Sequence, residues 1–257
     1  MTGGGGRSGG RQRGEGLRAG SPAGASWSPE PVLALLHQLR VGGAAGDERL
    51  AEVLGWDRWD LIGALAHASS VGLVIWTPPI RAWRLTPAGR ARAVEALRDE
   101  QSDDAASSGA RAVLASVEEE NARVLEACTA WQVHCDGSPG AGAGVIDTLE
   151  AARRRVDPQL RTWSASVARA ARYRSRLSHA LERARSGDGA WIASPRVDCF
   201  HGVWFQLHED LLATLGRMRG GSPPGSPPSL PHTVRDVLRA APVVEPEDRA
   251  APPDREF

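Results

Sequence analysis

The chain has 257 residues, and its 31 basic and 31 acidic side chains give a formal net charge of zero. A neutral total supplies no general attraction to nucleic acid, so affinity for DNA has to come from local groups of arginine. No apolar run approaches the roughly 20 residues that span a bilayer, so we expect no membrane partner. Three widely spaced cysteines are typical of free thiols in a reducing cytoplasm.

Composition also predicts where the folded part lies. Residues 1–26 hold ten glycines without apolar periodicity, and residues 220–257 hold nine of the eighteen prolines. Neither segment has enough apolar residues to offset the entropy lost on ordering. We therefore expect a disordered Gly/Arg-rich tail, a folded body over residues 27–219 and a disordered Pro-rich tail.

Two helices are predicted at the start of this body. Ser28 and Pro29 supply an N-cap and a favourable first position for a helix over residues 29–40. Asp47 can cap a short second helix, which Gly55 ends because glycine adopts the left-handed conformation without strain. Apolar residues recur at helical spacing in both segments, so the two helices should pack together.

A third helix is predicted to begin after Asp57, whose carboxylate caps it, with Asp60 in the position of a capping-box partner. Leu61, Leu65 and Ala68 fall on one face of this helix and should be buried. The outward face then consists of Arg58, Trp59, Ile62, Gly63, Ala66 and His67.

A two-stranded hairpin follows the third helix. Residues 74–76 predict one strand, residues 77–79 a tight turn, and residues 83–85 the returning strand. Thr86 then caps a further helix that begins at Pro87.

Three helices followed by a hairpin form a winged helix, a module whose third helix lies against DNA. The segment LAEVLGWDRWDLIGAL…GLV…WRLTPAGRAR resembles the MarR and related groups of bacterial winged-helix regulators, and LTPAGRAR is its most recognisable part. The resemblance implies a winged-helix DNA-binding domain over residues 27–98. The residues expected to contact DNA are Arg58, Trp59, Gly63, His67, Arg81 and Arg84.

A linker and an α-helical bundle are predicted beyond the winged helix. Residues 99–110 hold four acids, no base and many small side chains, which is typical of a linker. Helical periodicity then predicts a dimerisation or sensor domain over residues 111–219, interrupted by a flexible glycine-rich loop at 136–144. Its helices are expected over residues 111–135, 145–155, 157–186 and 200–218.

A cluster of arginines in this domain is a first candidate ligand site. Residues 150–186 hold ten arginines and three acids, a local charge of +7. Arg169, Arg172 and Arg176 share one helix face by their spacing and could hold a phosphate or a carboxylate, or contact the DNA backbone. The alternative is a solvated face that acids elsewhere balance, and the sequence favours this alternative.

A second candidate lies in an aromatic segment near the end of the body. His201 and His208 are seven residues apart on one helix face, and together with Asp198 and Trp204 they could line a small-molecule or metal site. The alternative is an aromatic core helix with hydrogen-bonded histidines. We favour the core helix because a third close metal ligand is missing.

No motif for catalysis is present: the sequence lacks GxSxG, CxxC, HExxH, a P-loop and a Rossmann glycine fingerprint. We therefore predict no enzyme, no cofactor and no metal, and we interpret Cys128, Cys135 and Cys199 as small apolar fillers. The predicted function is a cytoplasmic DNA-binding transcriptional regulator. Its predicted partners are duplex DNA, a second copy of the chain and a small-molecule effector.

Two other functional classes stay open. In the first, the winged helix is a scaffold that binds protein; the neutral total charge and the Trp59-Asp60 pair favour it, because related regulators have small polar residues there. In the second and weaker class, His201 and His208 are the centre of a metal-dependent enzyme.

Overall fold

A computed structural model describes residues 29–133 and 141–217 of the chain. The elements in these ranges are α1 (Pro29–Gly42), α2 (Asp47–Leu54), α3 (Arg58–Ser70), β1 (Val74–Thr77), β2 (Ala82–Leu85), α4 (Pro87–Gln101), α5 (Asp104–Val133), α6 (Ala141–Trp163), α7 (Arg169–Arg185), α8 (Ala190–Ala193) and α9 (Phe200–Thr214). This order confirms the predicted mainly α fold, in which three helices and a two-stranded antiparallel hairpin precede a helical bundle. The predicted tails over 1–26 and 220–257, and the first part of the predicted loop at 136–144, lie outside the described residues.

The winged-helix unit, residues 29–101, folds around a core of its own. Leucines of α1, α2 and α3 meet the inner side of the hairpin in this core. β1 and β2 pair antiparallel, with Val74 opposite Leu85 and Thr77 opposite Ala82. Ala45, in the connection between α1 and α2, forms a further bridge. The wing is therefore attached to the helical part of the unit by backbone hydrogen bonds.

The turn at residues 86–89 joins the hairpin to α4 through a close backbone contact. The Thr86 hydroxyl accepts a hydrogen bond from the Gly89 N–H at 3.0 Å and donates one to the Gly72 carbonyl at 2.7 Å. It therefore caps α4 and also holds the turn that follows α3. A Cβ on Gly89 would lie 1.9 Å from the carbonyl oxygen of Leu73. Only glycine fits there, which explains the glycine of the LTPAGRAR segment.

The stretch predicted as an acidic linker, residues 99–110, is helical apart from residues 102–103, and it comprises the end of α4 and the start of α5. Asp103 starts α5 because its carboxylate accepts a backbone N–H at 2.9 Å. The small side chains serve close helix packing: a Cβ on Gly109 would lie 2.6 Å from the Trp163 ring. A composition typical of flexible linkers is here a tight corner between two helices.

The helical body, residues 104–133 and 141–217, contains the second hydrophobic core. α5 packs along α6, and α7 and α9 complete the bundle. The helix predicted over residues 157–186 is in fact divided, because α6 continues through Pro158 and the chain turns over residues 164–168. Proline removes one amide donor, whereas Leu160 and Trp163 beyond it are fully buried, so packing favours the longer helix. Within the described ranges, no helix is both long and apolar enough to cross a membrane.

Candidate functional site

The outward face of α3 is exposed, as the sequence pattern predicts. The Asp57 carboxylate accepts hydrogen bonds from the N–H groups of Trp59 and Asp60 at 2.8 and 2.9 Å, which fixes the start of the helix. Five of the six residues predicted to face outward are exposed, and Gly63 is half-buried. The orientation of α3 therefore leaves this face available to a partner.

The tip of the hairpin carries an arginine in a strained backbone conformation. A 3₁₀ turn over Pro78–Ile80 joins the strands, and Arg81 follows it with φ of 48°. This left-handed conformation costs a residue with a side chain roughly 1–2 kcal/mol. Within the described ranges Arg81 is the one non-glycine residue with a positive φ. Arg84 lies exposed on β2, opposite Ile75.

Two tryptophans hold the hairpin in place. The rings of Trp76 and Trp83 meet edge to face with centroids 5.5 Å apart. Trp83 Nε1 donates a hydrogen bond to Asp47 Oδ1 at 2.7 Å, and the Trp83 backbone pairs with Ala45. These contacts fix the wing relative to α2 and hence to the helix that follows it.

The arginines of residues 150–186 and the three arginines of α3 and the wing differ in whether a carboxylate lies nearby. In residues 150–186, nine of the ten arginines lie within 4 Å of a carboxylate: Arg153, Arg154, Arg155, Arg161, Arg169, Arg174, Arg176, Arg183 and Arg185. In contrast, Arg58, Arg81 and Arg84 have no carboxylate within 4 Å among the described residues. The +7 cluster is thus balanced by carboxylates, as the alternative to a ligand site predicts, but Arg169 and Arg176 are buried in these pairs and do not lie on a solvated face. The arginines of α3 and the wing are available to an external anion.

Arg169 is buried against a carboxylate of the same body. Its Nε and Nη2 atoms donate to the two oxygens of Asp210 at 2.8 and 3.0 Å, and Nη1 donates to Glu100 at 2.5 Å. Nη2 also donates to Thr214 Oγ1 at 2.9 Å. Burial would raise the pKa of Asp210, but Arg169 and His37 hold it well below its ordinary value.

The winged-helix unit contributes two side chains of α1 to the same carboxylate. His37 Nε2 lies 3.1 Å from Asp210 Oδ2, and Arg40 Nη2 lies 3.9 Å from Oδ1. Burial lowers the pKa of His37 to about 4, because the effects of burial and of the positive charges of Arg169 and Arg40 exceed that of Asp210, which raises the pKa. The imidazole is therefore neutral at pH 7. Arg40 Nε and Nη2 are buried without a hydrogen-bond partner in the described part of the chain. One carboxylate therefore connects α1, α7 and α9.

A second carboxylate joins the two cores in the same way. Asp198 accepts hydrogen bonds from Arg176 Nε and Nη2 at 2.6 and 2.8 Å, and from Arg49 Nη2 of α2 at 2.7 Å. Gln206 Oε1 accepts from Arg176 Nη2 at 2.8 Å and from Gln38 Nε2 of α1 at 3.2 Å. Beside these contacts lies a crevice of about 190 Å³ between the α1–α2 region and the start of α9.

The six residues predicted to bind a ligand do not line this crevice. Arg172 is half-buried, and burial lowers its pKa. Trp204 is buried and donates from Nε1 to Asn121 Oδ1 at 3.2 Å. His208 is buried, while His201 is half-buried with a pKa that burial lowers. These positions favour the aromatic core helix over a shared ligand site.

Cys128 and Cys199 are buried free thiols. Burial raises the pKa of Cys128 to about 12, and Cys199 Sγ accepts the Gly202 N–H at 3.3 Å at the start of α9. Buried thiols of this kind act as small apolar side chains. Cys135 lies outside the described residues. Where the chain is described, no three His, Cys, Asp or Glu side chains are grouped so as to hold a metal ion.

The sequence singles out Arg169, Arg176 and Asp198 among the side chains that join the two cores, but not His37, Arg40 or Asp210. His37 and Arg40 are three residues apart and so share a helix face, and Asp210 stands directly before two leucines in α9. The position of Asp210 in an apolar helix is a signal in the sequence that a cation lies nearby, because burying an ionised carboxylate without a cation costs much free energy. Nothing local in the sequence identifies which cation that is.

Comparison with known proteins found no match to a family model, to a curated protein or to a solved structure.

Proposed function

We propose that this protein binds duplex DNA through the outward face of α3 and the wing, and that it acts as a transcriptional regulator. The observation that supports this best is Arg81, which is exposed, has no carboxylate partner in the described ranges and holds a left-handed conformation at the wing tip. Backbone strain persists where a side chain has a use that a relaxed residue would not serve. A cation at a hairpin tip is suited to phosphate oxygens or to a narrow minor groove.

In this proposal α3 lies in the major groove. Arg58, in the first turn of α3, reaches a guanine edge or a phosphate, and Arg81 and Arg84 reach the backbone or the minor groove. Gly63 and His67 lie on the same outward face, where glycine permits close approach. The protein catalyses no reaction in this role, and it works in the cytoplasm.

The helical body is proposed to dimerise and to sense an effector. A single winged helix makes few contacts, and pairing two half-sites multiplies its affinity. The crevice beside Arg49 and Gln206 supports the sensing role, because it separates α2 from α9 and α2 packs against α3. A small molecule that changed the spacing between α2 and α9 would shift the position of α3.

Fluorescence anisotropy with duplexes that the full chain selects from a random library tests DNA binding. Arg58→Ala, Arg81→Gly and Arg84→Ala should each weaken binding and reduce the slope of log K against log salt by about 0.9, the value for one lost phosphate contact. Arg111→Ala is the matched control, because Arg111 is exposed on α5 and has no carboxylate within 4 Å among the residues that the structure describes. Failure to select any duplex, or variants that bind like the control, would refute the proposal.

A protein-binding module is the second candidate, and exposed apolar side chains favour it. The winged-helix unit exposes Trp59, Ile62, Val71, Ile75, Trp76, Ile80 and Val94. Apolar residues grouped on one module are typical of interaction surfaces. Cross-linking in cells followed by mass spectrometry tests this candidate: a protein partner should be lost with Trp59→Ala and retained with Arg81→Gly.

A further inference from the structure

The centre of the outward face of α3 is apolar. Trp59 is 78% exposed and Ile62 is 39% exposed. Ile62, Gly63 and Ala66 have no hydrogen-bonding side chain, and Trp59 offers one indole N–H at the edge of a large ring. We call these four residues the α3 stripe. Side chains of this kind cannot pair with the donors and acceptors that most base edges present.

Three arginines lie on α3 itself and on the hairpin that packs against it. Arg58 begins the same helix, while Arg81 and Arg84 extend from the wing, and none of the three has a carboxylate within 4 Å in the described ranges. Two exposed carboxylates oppose them at the start of α3, Asp60 and Asp57, and Asp57 also accepts the helix N–H groups; the three arginines exceed these two acids by one charge. An apolar helix face with cations on the same element and on the adjacent hairpin is complementary to a groove whose rims are phosphates.

A second copy of the chain fits this face less well. Two identical surfaces that meet across a twofold axis are self-complementary. Here such a contact would bring the three unpaired arginines of each copy into one interface. Charge complementarity therefore selects DNA as the occupant.

We infer that the α3 stripe recognises the 5-methyl group of thymine in the major groove, an inference that rests on the DNA binding proposed above. The thymine methyl is the apolar group that base edges present there. A base edge packed against Ile62, Gly63 or Ala66 loses hydrogen bonds to water and gains none, and thymine offsets this loss by burying its methyl group. The stripe therefore favours thymine and disfavours G·C pairs at the positions that it covers.

The experiment compares two forms of one duplex. The duplex selected by the full chain is synthesised with thymine or with uracil, which pairs identically and lacks only the methyl group. The uracil form should bind about fourfold more weakly for each contacted methyl, the value expected for burial of one methylene-sized group. Trp59→Ala and Ile62→Ala should bind the two forms with nearly equal affinity. Leu125→Ala is the matched control for Ile62→Ala, because Leu125 is 43% exposed on α5, and it should keep the discrimination.

The outcomes separate this inference from the proposed function. If no duplex is selected, both the proposed DNA binding and the thymine inference are wrong. If a duplex binds tightly and uracil substitution has no effect, DNA binding stands and the thymine inference is wrong. If the stripe variants keep the wild-type discrimination, another part of the protein reads the methyl group. If Trp59→Ala instead changes the sedimentation coefficient and not the discrimination, a second copy of the chain covers the stripe.

Discussion

Replacing Asp210 by asparagine should destabilise the fold strongly, because it removes the negative charge that Arg169, Arg40 and His37 surround. Asp210 is completely buried, and its two oxygens accept hydrogen bonds from Arg169 at 2.8 and 3.0 Å. His37 lies 3.1 Å and Arg40 3.9 Å away. In Asp210→Asn, Arg169 keeps Glu100, whereas Arg40 loses the one carboxylate within 4 Å of it in the described ranges.

Removal of one partner of a buried ion pair costs roughly 3–5 kcal/mol, since it leaves an uncompensated buried charge. In a protein of this size each kcal/mol lowers the melting temperature by about 2–4 °C, so the expected fall is on the order of 10 °C. Urea unfolding and thermal melts measure both quantities. Glu95→Gln is the control, because Glu95 pairs with Arg92 at an exposed site, and such pairs contribute about 0–1 kcal/mol. Equal stability of Asp210→Asn and Glu95→Gln would refute the structural role assigned to this carboxylate.

Three further changes test other features of the fold. The pKa of His37 is about 4 in the folded protein and about 6.5 in the unfolded chain, so the unfolded chain takes up the proton first as pH falls. The free energy of unfolding should therefore fall by about 3 kcal/mol between about pH 6.5 and about pH 4. Urea unfolding midpoints of His37→Gln should depend less on pH over this range. Gly89→Ala should destabilise the protein by more than about 2 kcal/mol or prevent folding, because the added Cβ would lie 1.9 Å from the carbonyl oxygen of Leu73. The control, Ala88→Gly at the exposed neighbouring position, should change the melting temperature little. A stable Gly89→Ala protein would contradict the close contact. Arg81→Gly should melt within a few degrees of wild type or higher, since relief of the left-handed strain offsets the added entropy of the unfolded chain, and a clear loss of stability would show that the Arg81 side chain supports the fold.

The winged-helix unit could be predicted because its signals are local. Asp57 and Thr86 cap helices within three residues of themselves, and Gly55 ends α2 in the left-handed conformation. Helical spacing placed Leu61 and Leu65 inside, and the structure buries both. Each of these features depends on residues that are close together in the chain, so a single sequence contains the information.

The contacts between the two cores could not be predicted because they join residues far apart in the chain. Arg169 was interpreted as a candidate anion ligand by its spacing, and its partner Asp210 is 41 residues away. Arg49 and Asp198 are separated by 149 residues. Helical spacing identifies which arginines share a face, but it does not reveal whether that face meets solvent or a carboxylate. The composition of the α4–α5 corner likewise predicts a linker, because the sequence does not reveal that Gly109 packs against the distant Trp163.

These distant contacts make α1 one of the elements that join the two cores, beside Arg49 of α2 and Glu100 of α4. Its leucines form part of the winged-helix core, while His37 and Gln38 contact Asp210 and Gln206 of α9. An interface of charged and amide groups can exchange its partners for water when it opens, whereas an apolar core cannot. Arg40 Nε and Nη2 are buried without a hydrogen-bond partner in the described part of the chain, so the polar groups of this interface are incompletely paired. In the regulator proposed above, an effector that moved α9 would displace α1 and, through the core that α1 and α3 share, α3, so the contacts at Asp210 would be required for the response to the effector.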